Sequence, residues 1–489
     1  MSAPPSVSTP PSATTGPAVI ALRARRGALL SRVATFALAI GLWLVPIPEG
    51  LTAQAWHLFA IFAAAIFSVI VTAFPLLTAA MLAAAAAVLT GTIAPAKAFA
   101  GFANGSVLLV VVAFLVASSV VKCGLGRRIS FVVVSAFGRS TLGLAYSIFL
   151  TDAAIAPAFP SNTARSGVLF PIVLSVAQGA GSRPDDPSTR RVGGYLMFCG
   201  MASLAVSSAL WLTATSVNPI GVEIARQFGL KISFGSWLLA ASVPAVATLL
   251  LLPVVLYWLF PPGVRATPDA PAAARAALRS MGSLSRDEKV VAVAFVLMVT
   301  GWVSAGALKL DLTAVAFAGL GALLATSVLT LDDIKKEGGT LETYLWLAVL
   351  FAMSGQLNEL GFMSYVGGRL SSALEGVPWP AAYVALLVLY VLMHYLFVSQ
   401  SSQVLALFGV FVDVGVRAGV SAPLIAFALL FASSYFSTIT PQGGSQNVIF
   451  VGSGYLTQGE LYRLGALTTG FCLLVFLVLG TPWLLMIAR

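Results

Sequence analysis

The chain has 489 residues, of which 59% are apolar and 9% charged, with a mean hydropathy of +0.97. A soluble domain carries about 25% charged residues, and so few charges cannot clothe a water-soluble surface at this length. A soluble enzyme, a nucleic-acid-binding module and a disordered protein are excluded, which leaves an integral membrane protein of many helices.

Residues 1–28 are rich in Ser, Thr, Pro and Ala, and no acid precedes Glu49. They read as a disordered cytoplasmic tail, with a short organellar transit peptide as the alternative. Apolar runs then predict spans at 29–45, 56–72, 76–90 and 106–121. The apolar stretch 142–177 is interrupted at Phe159-Pro160-Ser161-Asn162-Thr163 and reads as a re-entrant hairpin. Residues 192–228, interrupted from Thr213 to Pro219, read as an unwound helix. A span at 237–260 closes the first half, 29–260. The hydrophilic stretch 261–289 is a cytoplasmic linker.

The second half, 290–489, follows the same order. Spans are predicted at 290–305, 312–329 and 344–357. A hairpin follows at 380–416, interrupted at Ser399–Gln403. An unwound helix at 422–453 is interrupted from Thr438 to Ser445, and a last span covers 461–487. Leu77-Thr78-Ala79 recurs as Leu312-Thr313-Ala314, and Leu125-Gly126 as Leu360-Gly361, both 235 positions later. The fold class is an all-α polytopic membrane protein with about eleven transmembrane helices and two re-entrant hairpins in two repeats. With the N-terminus cytoplasmic, most of the 27 basic residues fall inside and the two halves are inverted. The net charge of +10 then orients the protein and attracts anionic lipid; it does not signal nucleic acid.

Two histidines and three isolated cysteines form no metal-ligand spacing, so no metal centre, haem or enzymatic cofactor is expected. His57 reads as structural. His394, on the second hairpin, is open to a role as a pH switch but reads as a packing residue.

Backbone polar groups cannot be left bare in hydrocarbon. Four breaks at membrane depth therefore need a buried or ion-filled cavity, and paired breaks in inverted halves point to a transporter's binding site. Ser161, Asn162 and Thr163 precede a new helix, whose free N–H groups and partial positive charge suit a carboxylate. Ser399, Gln400 and Ser401 offer the same groups at the second tip. Two such tips suggest a dicarboxylate. The unwound segments, with Thr215 and Asn218 in one and Thr440, Pro441, Gln442 and Gly443 in the other, supply hydroxyls and carbonyls for substrate or for Na⁺. A coupling Na⁺ would lie near Ser161, Asn162, Thr215, Ser399 and Thr440.

These motifs resemble the divalent anion/sodium symporter family. The stretches 152–171 and 397–408 are most similar to its exchanger branch, which includes plastid 2-oxoglutarate/malate translocators and bacterial citrate/succinate and tartrate/succinate antiporters. The resemblance implies a homodimer, substrate held between the hairpin tips, and an elevator motion of a transport domain against a scaffold. It also implies that Ser161–Thr163 and Ser399–Ser401 contact carboxylates, and that Thr215–Asn218 and Thr440–Gly443 flank the cation sites of symporters.

Arg165 bears on the coupling. A cation in the membrane is functional by default, and at a helix N-terminus it opposes the dipole. A guanidinium standing where a symporter needs Na⁺ predicts obligatory exchange; the alternative is that Arg165 pairs with Asp152. Gln403 stands where exchangers of this type often carry histidine, so Na⁺ symport remains the alternative mechanism. An intramembrane enzyme lacks a Ser/Lys or paired-Asp site, and a channel lacks a filter. The reading is a carrier of di- or tricarboxylates, of the C4-dicarboxylate, 2-oxoglutarate or citrate class. Its expected location is a bacterial plasma membrane, with an organellar inner envelope as the alternative.

Overall fold

The computed structural model describes residues 17–184, 186–397 and 399–487. Among them the chain is helical and no strand forms; the nearest approach is a single bridge between Ser140 and Ala266. Seven helices are long and apolar enough to cross a membrane, and five shorter apolar helices accompany them.

The first helix, α1 (Pro17–Leu44), begins twelve residues before the predicted span. Ala, Leu and Arg between residues 18 and 28 are good helix formers, so the expected tail is helical there; residues 1–16 lie outside the described residues. Next come α2 (Ala53–Ile70), α3 (Leu76–Leu89) and α4 (Gly105–Cys123), close to their predicted bounds. A separate helix, α5 (Leu125–Phe137), was not anticipated. The first hairpin consists of α6 (Thr141–Ile155) and α7 (Asn162–Gly179). The first unwound helix consists of α8 (Gly193–Leu210) and α9 (Val217–Arg226), and α10 (Phe234–Leu259) follows.

Residues 261–289 are not an open linker. They hold α11 (Ala270–Ser280), which packs on α5. Thr141 Oγ1 donates to the Val264 carbonyl at 2.6 Å, and Thr267 Oγ1 to the Gly138 carbonyl at 2.7 Å. Arg128 on α5 grips Glu288 at 2.5 Å and the Gly282 carbonyl at 2.9 Å. The buried Glu288 also completes a capping box with Ser285 at the start of α12 (Arg286–Leu308).

The second half continues with α13 (Leu312–Ala325), α14 (Gly338–Glu359) and α15 (Phe362–Ser371). Its hairpin pairs α16 (Trp379–His394) with α17 (400–417), whose turn at Val404–Phe408 is a π-helix. The second unwound helix is α18 (Ala422–Tyr435) and α19 (Ser445–Val451), and α20 (Gln458–Ile487) is the last described helix. Gly124 (φ +81°) turns α4 into α5, and Gly361 (φ +80°) turns α14 into α15. Left-handed backbone at a helix end favours glycine.

The centre of the molecule is α8, every residue of which is buried. Its Gly, Ser, Ala and Cys side chains let α6, α7, α10, α18 and α19 close around it. The spanning windows of α12 and α20 are only 28% buried. Val293, Val296 and Leu297 on α12, and Leu474, Val478 and Met486 on α20, face outward. So large an exposed apolar surface is stable against lipid and not against water.

Gly465 on α20 lets the second unwound segment approach. A Cβ there would stand 2.4 Å from the Thr438 carbonyl oxygen and 2.5 Å from Ile439 Cα, both backbone atoms with no rotamer to change. Gly465→Ala should cost about 1–3 kcal/mol of overpacking and lower the melting temperature of the detergent-solubilised protein by several degrees. A melting curve superimposable on wild type would show that the segment gives way freely.

Candidate functional site

The four helix breaks meet at one cavity of about 330 Å³. Its wall comprises Ser161 and Asn162, Thr215 and Ser216, Ser399, Gln400 and Ser401, and Gln442, Gly444 and Ser445, together with apolar Phe114, Pro160, Val217 and Val448. The size suits a small molecule. A larger cavity of about 410 Å³, bounded by α5, α7 and α11, is mostly apolar and touches none of the breaks.

Among the described residues no charged side chain lines the smaller cavity. The N-termini of α7, α9 and α17 begin at its wall, as does the first turn of α19. Ser161 Oγ caps α7 by accepting from the Ala164 N–H at 3.3 Å. The remaining first-turn N–H groups have no helical acceptor, and each terminus carries a partial positive charge. Hydroxyls, amides and N–H groups at converging helix starts make a site for an anion.

Two asparagines hold the unwound segments open. Asn218 donates through Nδ2 to the carbonyls of Ser208 (2.8 Å) and Trp211 (3.0 Å). Asn447 donates to those of Ser437 and Thr440, both at 2.7 Å. Each asparagine reaches back ten and seven residues, and the two sets lie 229 positions apart. The carbonyl oxygens Asn218 Oδ1 and Asn447 Oδ1 are buried without a partner, as is Thr440 Oγ1. Such oxygens are donors for an alkali cation. Other bonds tie each segment to its hairpin. Ser216 N–H donates to the Pro160 carbonyl at 3.1 Å, Thr213 Oγ1 to that of Pro157 at 2.9 Å, and Tyr395 OH to that of Phe436 at 2.6 Å.

Arg165 lies behind the wall and is fully buried. Its Nη1 meets both oxygens of Asp152, at 3.1 and 3.2 Å, and Ser207 Oγ bridges the two side chains. Its Nη2 donates to Asn162 Oδ1, Ser208 Oγ and the Leu204 and Ala214 carbonyls. The guanidinium therefore fastens α6, the hairpin tip, α8 and the unwound segment together. Asn162 in turn donates to Gln446 Oε1 at 3.2 Å, and Gln446 to Ser437 Oγ at 3.2 Å, which joins the two halves. Asp413 pairs with Arg417 at 2.6 Å, and His57 stacks on Trp43.

Of the residues singled out from sequence, Ser161, Asn162, Thr215, Ser399, Gln400, Ser401 and Gln442 line the cavity. Thr163 is exposed; successive helical residues point about 100° apart, so it faces away from Asn162. Thr440 and Pro441 stand outside the wall, while Asn218, Gly443, Gln403 and Arg165 are buried behind it. Phe114, Gln446 and Asn447 were missed. The last two carried a signal, as polar residues just past a break; Phe114 carried none.

The chain matches the family model described as the sodium:sulfate symporter transmembrane region over residues 27–488. It is 37% identical to YflS of Bacillus subtilis (strain 168) over 457 residues, covering 93% of this chain and 96% of that protein. It is 36% identical to the protein named Dicarboxylate transporter 2, chloroplastic, of Spinacia oleracea, covering 90% and 79% of the two chains. Two solved structures share the fold at low identity. MtrF of Neisseria gonorrhoeae has a TM-score of 0.56 and 15% identity, covering 92% of this chain and 97% of that one. The YdaH transporter of Alcanivorax borkumensis has a TM-score of 0.53 and 16% identity, covering 80% and 86%.

Removing one member of a buried ion pair strands the other, at about 3–5 kcal/mol. Asp152→Asn should therefore sharply reduce the folded yield and melting temperature, and Asp152→Leu with Arg165→Met should restore much of both. Fluorescence-detected size-exclusion chromatography checks this. A well-folded single variant would show that Arg165 has another counter-ion.

Proposed function

The chain belongs to the sodium:sulfate symporter transmembrane family, and from that premise we propose that it is a secondary transporter of small dicarboxylates that works by exchange. One observation carries this reading. Among the described residues the cavity between the hairpin tips has no charged wall, yet it gathers nine hydroxyl or amide side chains and the starts of three helices of ten residues or more. Such a wall binds an anion by hydrogen bonds and helix dipoles and stays uncharged when empty. One carboxylate would rest on Ser161, Asn162 and the start of α7. The other would rest on Ser399, Gln400, Ser401 and the start of α17. Thr215, Ser216 and Gln442 would read the groups between them. A spinach relative matched over 90% of this chain is named as a dicarboxylate transporter, which supports the substrate class.

The matched asparagine clasps and the paired left-handed glycines support two repeats, which we take to be inverted across the bilayer. Hairpins and unwound helices gathered around α8 would then move as a unit against α1–α4 and α12–α14, carrying substrate in an elevator step within a homodimer. The expected site is a bacterial plasma membrane with the N-terminus cytoplasmic. Asn218, Thr440, Pro441, Gly443 and Gln403 would shape the segments behind the site.

Exchange rests on the resemblance of residues 152–171 and 397–408 to exchangers, and not on Arg165, because its pairing with Asp152 leaves no net charge. Na⁺ symport is the second reading. It is favoured by the partnerless oxygens of Asn218, Asn447 and Thr440.

Proteoliposomes preloaded with unlabelled malate should take up labelled malate, and empty vesicles should not, with or without a Na⁺ gradient. Na⁺-driven uptake into empty vesicles would replace exchange by symport. Losing a hydrogen bond to a charged group costs about 1.5–3 kcal/mol, so Ser161→Ala and Ser399→Ala should each raise KM about tenfold or more; Ser399, whose side chain caps no helix, should do so with melting temperature unchanged, while Ser161→Ala also loses the cap of α7.

A further inference from the structure

The first hairpin's second arm, α7, and the helix that precedes the hairpin, α5, form a crevice. At one end they touch: a Cβ on Gly126 would stand 2.9 Å from Val168 Cγ1. Further along they part. Phe131 and Val134 on α5, and Ile172, Val176 and Ala180 on α7, line the cavity of about 410 Å³. Helix α11 closes it with Ala270, Ala273, Ala274 and Ala277, a spacing that sets all four on one helix face. Their one-carbon side chains leave the space between the three helices open. The second half is built differently. There α15, which follows the other left-handed glycine, packs directly on the hairpin arm α17, so closely that a Cβ on Gly367 would stand 1.9 Å from Asp413 Oδ2.

Protein interiors pack to crystal-like density and keep few voids larger than a water molecule. A cavity of this volume falls instead in the range of ligand sites, and mostly apolar walls suit water poorly. The crevice lies where α4, α7 and α10 end and α12 begins, which is the level of one membrane surface. Its surroundings are basic. Residues 124–139 and 263–280, which hold α5 and α11, contain six arginines and one acid. Arg128 is taken by Glu288. Arg127, Arg139, Arg265, Arg275 and Arg279 are exposed and, among the described residues, form no ion pair. Arg265 stands between the wall residues Val264 and Ala266, and Arg275 follows the wall residue Ala274. The Arg139 carbonyl accepts from the N–H of Thr267, also in the wall, at 3.0 Å. The acid, Asp269, is exposed at the wall and is outnumbered.

We propose that this crevice binds an anionic phospholipid, with one acyl chain between α5, α7 and α11 and the phosphate met by the arginines around it. The apolar walls call for a hydrocarbon chain, and the unpaired guanidinium groups call for an anion. A small soluble anion would leave the apolar interior unfilled, and a lipid without net charge would leave the arginines unmatched. The occupied arm, α7, is the one whose start bears Ser161 and Asn162. A chain bound there favours this arrangement over one in which α7 closes on α5 along its length. The site is separate from the cavity at the helix breaks and does not depend on the substrate.

Photolabelling of the full chain in phosphatidylcholine nanodiscs tests this, with a trace of phosphatidylglycerol or of phosphatidylcholine carrying a diazirine near the end of one acyl chain. Peptides containing 131–134, 172–180 and 270–277 should be labelled, roughly tenfold more by the phosphatidylglycerol probe, since each arginine near an anionic lipid is worth roughly fivefold in binding. Arg265→Gln with Arg275→Gln and Arg279→Gln should bring that probe down to the level of the phosphatidylcholine one, with labelling of outward-facing α12 and α20 unchanged. Ala273→Phe with Ala277→Phe should fill the crevice and remove its labelling by both probes. Label confined to α12 and α20 would overturn the proposal, as would equal labelling of the crevice by the two probes or a preference that survives the arginine changes. Stronger labelling of the crevice by a diazirine fatty acid would assign it to a free acid and overturn the phospholipid. If the double phenylalanine variant does not fold, the arginine variant and the probe comparison decide.

Discussion

A helix that stops inside an apolar protein uncovers carbonyls and N–H groups that have no water to turn to. This chain stops four helices at one place, and the rest of its architecture follows from satisfying the backbone there. Asn218 and Asn447 each clasp two carbonyls of an unwound segment. Hydroxyls and backbone groups of the adjoining hairpins take up others. What is left over is the helix starts, which point into a common cavity. The polar surface of the site is thus the residue of a backbone problem solved everywhere else.

Charge is distributed on the same principle. Arg165 sits at the start of a helix, where the dipole opposes it, and is held by Asp152 and by hydroxyls of α8. Its contribution is to lock four elements into one body with no net charge. The cavity in front of it presents uncharged hydroxyls and amides. The bond between Asn162 and Gln446 carries this network from the first half into the second. The two hairpin tips are therefore parts of one structure.

The halves match in their clasps and in the glycines that follow α4 and α14, but they are not equal. Buried Arg165 in the first half meets Asp152, whereas buried His394 in the second meets Gln403 and the Gly443 carbonyl.

Hydropathy and a few interruptions determined the membrane class, the bounds of most long helices, the two hairpins, the two unwound segments and seven of the cavity-lining residues. These are local signals: run length, and Ser, Thr, Asn, Pro and Gly where a helix must stop. Amphipathic α5 and the docked α11 escaped because neither is long or apolar enough to register. The pairing of Arg165 with Asp152 stood open as an alternative that only the fold decided, and the partners of His394 and the place of Phe114 could not be read at all. Each depends on which atoms the fold brings together, at 3.1 Å across 13 residues for Asp152 and at 2.7 Å across 49 for Gly443. Composition places a cation in the membrane; only packing decides whether a carboxylate or a carbonyl stands opposite it.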